Sequence, residues 1–570
     1  MISKIYLLLF LLVINCKLYK SQSYTCTLYI RNHVDDIGSS VSSYSNSNSK
    51  SDSKSDSSIE ICGDTPQNPC VSLQSGRQMC FQLYGYMEYN LHFNLEEGEF
   101  MLTDDDLFTV YGANITLSGE LKVVLNLVQL SRPLFTISGT GGYLELQGLT
   151  FHNSYYGVVS SNTWETLLLV DRCVFENIST LEDASPYIAI YNDFMSLMQT
   201  PAIIIQNSIF RNNQFNSSNR SSSEMPGTLV FIQWFSTLIT GCTFENNYGF
   251  NSLVKTVSGR FVFQSNLFQY NTVVEYGLIS FFNTSSYGTV IVQYISDTKF
   301  IGNEYPISQT TYSHTVGAIS MVSSYIEIQT CQFINNSIPA IVYGNLHSTS
   351  TDDEKNLIVG SYFENNTNIL VSYVQSEFQF DHCEFQYNSA SDNYSIAYYY
   401  GGSGSDSSYI SRAMFEFTNT NLLLSNSTLD RNYGQIVTTF SRSYFSMENT
   451  TLSNNVDFTL VSCDDSNIQI DDNVQFKNNI LNEKYGIVHC LSNCVIKQNI
   501  LGIQCPGEEY TSQETPDIVP HTLSTITKIL IGIAIGVIML ILIVALILYL
   551  KYRKKKPNLI LDHKTSLLNK

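Results

Sequence analysis

Through most of the chain, apolar and polar residues alternate with a period of two, in short runs that close on asparagine-rich phrases. The phrase recurs as Phe210-Arg-Asn-Asn213, Phe244-Glu-Asn-Asn247, Phe333-Ile-Asn-Asn336, Phe363-Glu-Asn-Asn366 and Phe476-Lys-Asn-Asn479. Weaker copies are centred on Phe151, Phe175, Phe268, Phe300, Phe385, Leu429 and Leu452. Before the anchor, paired apolar positions such as Ile203/Ile205, Phe261/Phe263, Ile326/Ile328 and Phe378/Phe380 point to strands, since helices repeat at 3.6. The shorter intervals between anchors are 22 to 24 residues, and the longer ones carry insertions. A unit of that length is one turn of a three-sided parallel β-helix; a leucine-rich repeat would show an L-x-x-L-x-L phrase, which is absent.

Two further positions keep fixed offsets. Two residues before the anchor stand small groups expected to point inward, among them Cys173, Ser208, Cys242, Asn266, Thr298, Cys331, Ser361, Cys383, Ser427 and Thr450. Three residues after it stands asparagine: Asn213, Asn247, Asn271, Asn303, Asn336, Asn366, Asn388, Asn432, Asn455 and Asn479. A corner between strands needs a residue that tolerates the left-handed region and hydrogen-bonds backbone, and asparagine does both. Coils stacked at about 4.8 Å then bring successive amides together as a buried ladder.

With these features the chain resembles the right-handed parallel β-helix, or pectin lyase-like, superfamily, in which asparagine ladders are known. The F-x-x-N phrases, with Gly317-Ala-Ile319 before one copy, are also similar to the repeats of chlamydial polymorphic outer-membrane proteins. The segment Leu28-Tyr-Ile30, a polar spacer and Cys62 through Gln74 resembles the entry to many such β-helices. The resemblance spans roughly residues 26 to 505 and implies an all-β, right-handed parallel β-helix solenoid. It leaves activity open, because the fold carries lyases, hydrolases, esterases, adhesins and inert spacers alike.

The ends supply an address. Residues 1–22 carry Lys4, the apolar run Ile5 to Ile14 and a polar close, the pattern of a secretory signal peptide. Residues 529–550 are free of charge and long enough for one C-terminal transmembrane α-helix. Lys551, Arg553, Lys554, Lys555 and Lys556 follow, which places the tail 551–570 in the cytoplasm: a single-pass type I protein of the plasma membrane or an endomembrane, its bulk extracellular or lumenal. Gly532 and Gly536 offer a GxxxG contact for a homodimer. Between the ends the expected order is an N-terminal cap and first coils (23–110) with a disordered Ser-rich insertion (38–58), the β-helix with a C-terminal cysteine cap (111–505), and a stalk (506–528). Insertions near 179–201, 214–227, 345–355 and 390–412 should leave the coils at corners. On a secretory route, sequons at Asn114, Asn177, Asn216, Asn219, Asn283, Asn335, Asn365, Asn393, Asn426 and Asn449 become glycosylation positions.

Only 14% of residues are charged, and the formal charge is −20, with the basic residues weighted toward the two ends. An acidic body argues against nucleic acid as a partner. Of thirteen cysteines, Cys16 falls in the signal segment. Cys26, Cys62, Cys70 and Cys80 at the entry, and Cys463, Cys490, Cys494 and Cys505 at the exit, suit disulfide-tied caps of open pairing. Cys173, Cys242, Cys331 and Cys383 read as buried free thiols. His489 with Cys490, Cys494 and Cys505 is a conceivable zinc set, but no metal or cofactor is expected.

Catalysis on a polysaccharide would need convergent carboxylates, or acidic calcium ligands beside a base. Asp104-Asp-Asp106 and the weak pairs Asp464/Asp465 and Asp471/Asp472 are the candidates, and polygalacturonase-type phrases are absent. Tyr398-Tyr-Tyr400 beside a Gly/Ser loop offers rings to sugars. The leading expectation is a non-enzymatic surface glycoprotein that binds cells, matrix or glycans, its ligand a glycan or a cell-surface protein. The alternative is a membrane-tethered polysaccharide lyase or hydrolase.

Overall fold

The period-two runs do form strands, and each coil spends three of them. Ile203–Gln206, Ile209–Arg211 and Thr228–Gln233 make one coil. Thr237–Thr240, Thr243–Glu245 and Tyr248–Val257 make the next. Each pairs in parallel with its counterpart one coil on, as in Ile203 with Thr237, Phe210 with Phe244 and Val230 with Val254. Repetition yields three parallel sheets, here the first, second and third in chain order around the coil, the first two joined through the long strands Asn114–Asn126 and Gly142–His152. In this computed structural model the described residues are 24–31, 69–84 and 89–497 apart from short breaks, the longest at 192–201, 216–226, 306–315, 345–354 and 398–407. The chain divides into two units, Met1–Glu508 and Glu509–Lys570, and the second lies wholly outside the described residues.

The anchors fill the interior. Phe151, Phe175, Phe210, Phe244, Phe268, Phe300, Phe333, Phe363 and Phe385 form one continuous stack, with ring centroids 4.6 to 5.2 Å apart and planes within 16°. Isolated rings prefer offset or edge-on contacts. Here the spacing is imposed by the backbone hydrogen bonds of the second sheet, about 4.8 Å per strand. The stack of anchors also extends upstream of the recognisable repeats, because Phe100 pairs with Leu125 and Leu125 with Phe151. Those first coils lack the asparagine phrase, and so they escaped the repeat.

The corner chemistry differs from expectation in one respect. The residue in the left-handed region is the one before the ladder asparagine: Asn212, Asn246, Tyr270, Asn335, Asn365, Tyr387, Arg431, Asn454 and Asn478 all have φ between 51° and 56°. The left-handed residue keeps its side chain outside, and the asparagine after it turns inward. Two neighbours thus divide the two jobs that the sequence reading gave to one residue.

The ladder itself is complete over ten rungs. At Asn271, Nδ2 donates to Asn303 Oδ1 at 3.0 Å and to the Phe244 carbonyl at 2.9 Å, while Oδ1 accepts from Asn247 Nδ2 at 2.9 Å and the Asn247 backbone N–H at 3.1 Å. The same set recurs down to Asn479, which receives Asn455 Nδ2 at 2.8 Å. At the upper end the Tyr187 hydroxyl donates to Asn213 Oδ1 at 2.9 Å.

The small residues at the first corner build a second ladder. Cys173 N–H donates to Ser208 Oγ at 3.1 Å, Cys242 N–H to Asn266 Oδ1 at 2.9 Å, and Cys383 N–H to Ser427 Oγ at 3.1 Å. Each thiol in turn donates to a backbone carbonyl, as Cys173 Sγ does to Leu146 at 3.4 Å.

One element corrects the all-β reading. Leu73–Tyr84 is a 12-residue helix, α1, whose Cys80 is disulfide-bonded to Cys26 in the first strand, Tyr24–Ile30. That strand already pairs in parallel with Tyr89–Leu95, so the coil begins ahead of the helix. At the other end Cys463 is bonded to Cys494, and Cys70 and Cys490 are each disulfide-bonded to partners outside the described residues. The expected signal segment 1–22, Ser-rich insertion 38–58, stalk 506–528, span 529–550 with Gly532/Gly536, and tail 551–570 also lie outside the described residues. Among the described residues no helix is long and apolar enough to cross a membrane. The insertions fall largely outside as well, although Ile188–Ile190 is a strand of the third sheet and Ser395–Ala397 pairs antiparallel with Ser408–Ile410.

Replacing Asn303 by Ala strands the Nδ2 and backbone donors of Asn271, takes a donor from the Phe268 carbonyl, and leaves Asn336 Oδ1 with the backbone N–H of residue 303 alone. The expected cost is about 3 kcal/mol or more. Asn479→Ala, at the end of the ladder, should cost visibly less. Urea unfolding together with hydrogen exchange at the flanking rungs checks both, and equal losses would contradict the ladder's role.

Candidate functional site

Each sheet also has an outward face, and the three differ. On the third sheet the outward row Phe231, Lys255, Ser280, Ser320, Val342 and Val371 is buried. The breaks at 216–226 and 306–315 precede strands of this sheet, and those at 284–291 and 345–354 follow strands of it. The Lys255 ammonium sits 4.6 Å from the Tyr276 ring and 4.8 Å from the Phe282 ring on this covered face. Among the described residues, the outward surface open to solvent is that of the first and second sheets and of the corners.

On the first sheet, Glu145 accepts from the Tyr143 hydroxyl at 3.1 Å and from Thr116 Oγ1 at 3.2 Å. Burial, reinforced by the Glu145 charge, pushes the Tyr143 phenol well above its ordinary range, so it stays a donor at every physiological pH. One coil on, on the second sheet, Glu176 lies between His152 Nε2 at 2.5 Å and Arg211 Nε. Burial alone would raise its pKa. Hydrogen bonds from Arg211 and His152 and their charges outweigh that and hold the carboxyl below its usual value. Neither group has the second convergent carboxylate that glycoside hydrolysis ordinarily uses. Among the described residues no cluster of three or more His, Cys, Asp or Glu is placed to hold a metal.

The acidic candidates named from sequence are not gathered. Asp465, with φ 47°, turns the corner into the strand Asn467–Ile470, and Asp471 and Asp472 lie beyond its far end. Six residues of extended chain separate Asp465 from Asp471, roughly 20 Å. Asp464 accepts Ser466 Oγ on its backbone carbonyl at 2.8 Å. Asp104 accepts the Ser131 backbone N–H at 2.7 Å and its hydroxyl at 2.6 Å, a structural contact between segments 27 residues apart, and Asp106 accepts the Thr103 N–H at 3.1 Å within one turn. The conceivable zinc set fails, because Cys490 and Cys494 are already in disulfides. Tyr398-Tyr-Tyr400 lies outside the described residues.

What the sequence reading missed is the corner after the second sheet. The thirteen large apolar side chains exposed among the described residues include six that sit on it, five of them tyrosines: Tyr156, Tyr248, Tyr270, Tyr387, Tyr433 and Ile480. The five tyrosines are 44 to 59% exposed. Tyr270 leans along the row onto the next coil, its ring edge 2.9 Å from where a Cβ on Gly302 would stand, and Gly302 itself has φ 61°. Tyr387 leans the same way, its hydroxyl met by Arg431 Nη1 and its ring 5.4 Å below that guanidinium. Tyr270 and Tyr387 are four coils apart, about 19 Å along the axis. Glu245, Glu304, Glu364 and Asp430 flank the row, while Arg211 and Arg431 are engaged by Glu176 and Asp430.

Six of the ten sequons can be placed at corners or strand starts. Asn177, Asn335 and Asn365 occupy left-handed positions on the tyrosine corner, and Asn426 and Asn449 occupy them on the first corner. Asn114 opens a strand and donates to Asn90 Oδ1 at 2.6 Å. Asn283 follows a third-sheet strand, and Asn216, Asn219 and Asn393 lie outside the described residues.

No protein-family pattern matches the chain, and no curated protein does either. Solved structures do. The catalytic unit of a GH87 α-1,3-glucanase from Streptomyces thermodiastaticus is 8% identical with a TM-score of 0.31, covering 71% of this chain. This chain spans 65% of that catalytic unit. The A-module of the Azotobacter vinelandii mannuronan C-5 epimerase AlgE4 is 9% identical with a TM-score of 0.23, covering 74% of this chain and 93% of the module. A PL6 alginate lyase is 10% identical with a TM-score of 0.28 and the same two coverages. The chain is a parallel β-helix. Its architecture is read from its own three sheets.

The four interior thiols are structural. Burial pushes Cys173, Cys242, Cys331 and Cys383 each up to about 12, far from the range of a nucleophile. They should resist alkylation in the native protein at pH 9 and react once it is unfolded. Because the folded pKa lies above the unfolded one, their contribution to stability is whole below about pH 9 and is lost as pH rises toward 12. A Cys→Ser variant at all four positions should shed that part of the alkaline loss in urea titrations, and an unchanged alkaline profile would contradict it.

Proposed function

We propose that the chain is a single-pass, type I surface glycoprotein whose β-helix binds an extended, neutral glycan along the tyrosine corner. The tyrosine row carries this reading. Each ring is amphipathic, and rings spaced along one convex edge suit a linear chain of sugars better than the single contiguous patch that a protein partner covers. Between the rings stand asparagine, serine and threonine, which supply hydrogen bonds to hydroxyls. The flanking carboxylates set the charge of the ligand, since an anionic polysaccharide would be repelled. Within the wider expectation of adhesion to cells, matrix or glycans, this selects glycans. Secretion, the membrane span and the cytoplasmic tail stand on the sequence signals alone.

A second reading is a membrane-tethered polysaccharide lyase or hydrolase. The outward groups Tyr143/Glu145 and His152/Glu176/Arg211 favour it, because each holds one carboxylate among polar partners, and the second adds a base and a cation.

With the full-length chain in detergent, Tyr270→Ala and Tyr387→Ala should each weaken binding to neutral glycans about three- to tenfold. Tyr111→Ala, exposed away from this corner, should not. Unchanged affinity in both row variants would refute the row. Separately, depolymerisation of any neutral or acidic polysaccharide that is lost in Glu176→Gln or Glu145→Gln would establish the enzymatic reading instead.

A further inference from the structure

The tyrosine row has two sequons at its centre. Along the left-handed corner position, successive coils read Tyr270, Gly302, Asn335, Asn365 and Tyr387, in the register set by the anchors Phe268, Phe300, Phe333, Phe363 and Phe385. Asn335 and Asn365 are both exposed, with φ 55° and 51°. Their coils are adjacent, and Asn365 Nδ2 donates to Asn335 Oδ1 at 2.8 Å. In both sequons the middle residue is a ladder asparagine facing inward, Asn336 or Asn366. The hydroxyl residues, Ser337 and Thr367, follow it on the outer side of the corner.

We propose that Asn335 and Asn365 are N-glycosylated and that their glycans mask the middle of the tyrosine row, so that chains left unmodified there bind external glycan more tightly. In the transfer, the asparagine amide nitrogen bonds to the anomeric carbon of a lipid-linked oligosaccharide diphosphate. The carbon–oxygen bond to the diphosphate breaks, the lipid diphosphate leaves, and one amide proton is lost. The other N–H remains. Asn365 can therefore keep its bond to Asn335 Oδ1, and Asn335 uses only its oxygen in that bond, so the corner survives modification of either residue. The masking rests on the reading of the row as a glycan site, because a glycan anchored between Tyr270 and Tyr387 competes for the rings an external sugar chain would use. The sequons on the first corner lie outside the row. There Asn449 Nδ2 donates to Asn426 Oδ1 at 2.7 Å, and Asn426 Nδ2 donates to Asp381 Oδ1 at 2.7 Å. They serve as the internal control.

The test produces the full-length chain through the secretory route of a eukaryotic host. Glycopeptide mass spectrometry reads occupancy, and binding is measured against a panel of immobilised neutral glycans. The expected result is occupancy at Asn335 and Asn365, with N335Q/N365Q binding about tenfold or more tighter than the occupied wild type. N426Q/N449Q should leave binding unchanged, and adding Y270A/Y387A to N335Q/N365Q should remove the gain. Vacant amides at both positions, or an occupied wild type that binds as tightly as N335Q/N365Q, overturns the masking and leaves the row intact. No binding by N335Q/N365Q to any neutral glycan overturns the row and the masking together.

Discussion

A primary amide inside a protein carries two donor hydrogens and an acceptor oxygen, and leaving any of them unmet costs more than most single contacts return. The parallel β-helix meets all of them by translation. Each ladder asparagine spends its donors on the next amide and on a carbonyl of the coil before, and its oxygen on two donors of the coil before. This works only if every coil repeats the same corner at the same pitch. The stacked phenylalanines, the second ladder of thiols, hydroxyls and amides, and the unshifted register of the strands that carry the anchors all accord with that requirement.

The pitch also decides what can be displayed outside. At the ladder corner the left-handed residue projects outward, and the neighbour that turns inward is reserved for the ladder. The outer corner is therefore the freest line on the molecule, and it is where asparagine gives way to Tyr270, Tyr387 and Arg431. The third sheet is the opposite case: its outward row is buried, so variation there must be compatible with packing.

This division explains what could be read in advance. The anchors, the asparagine offset and the strand periodicity are imposed on every coil and so show in one sequence. Helix α1 was not legible because its buried stripe, Leu73, Gly76 and Cys80, holds only one large apolar side chain. It packs through Gly76, where a Cβ would meet Ile30 at 3.0 Å, Leu28 at 3.1 Å and Phe93 at 3.3 Å, and it is tied down by Cys80. The tyrosine row was missed for a related reason. Its members occupy three different offsets from the anchor, Tyr270 and Tyr387 at one, Tyr248 and Tyr433 at another and Tyr156 at a third, and the corner brings them onto one edge only in three dimensions. The acidic pairs Asp464/Asp465 and Asp471/Asp472 looked close in sequence, yet an extended strand drives them apart.

Because each coil presents its neighbours with the same hydrogen bonds above and below, a coil such as the one from Phe333 to Phe363 can be duplicated or excised without a new kind of junction. The reach of the molecule is thus quantised in steps of about 4.8 Å. The protein behaves as a ruler whose length is set by the number of coils, so that adding or removing one changes its reach without redesigning its interior.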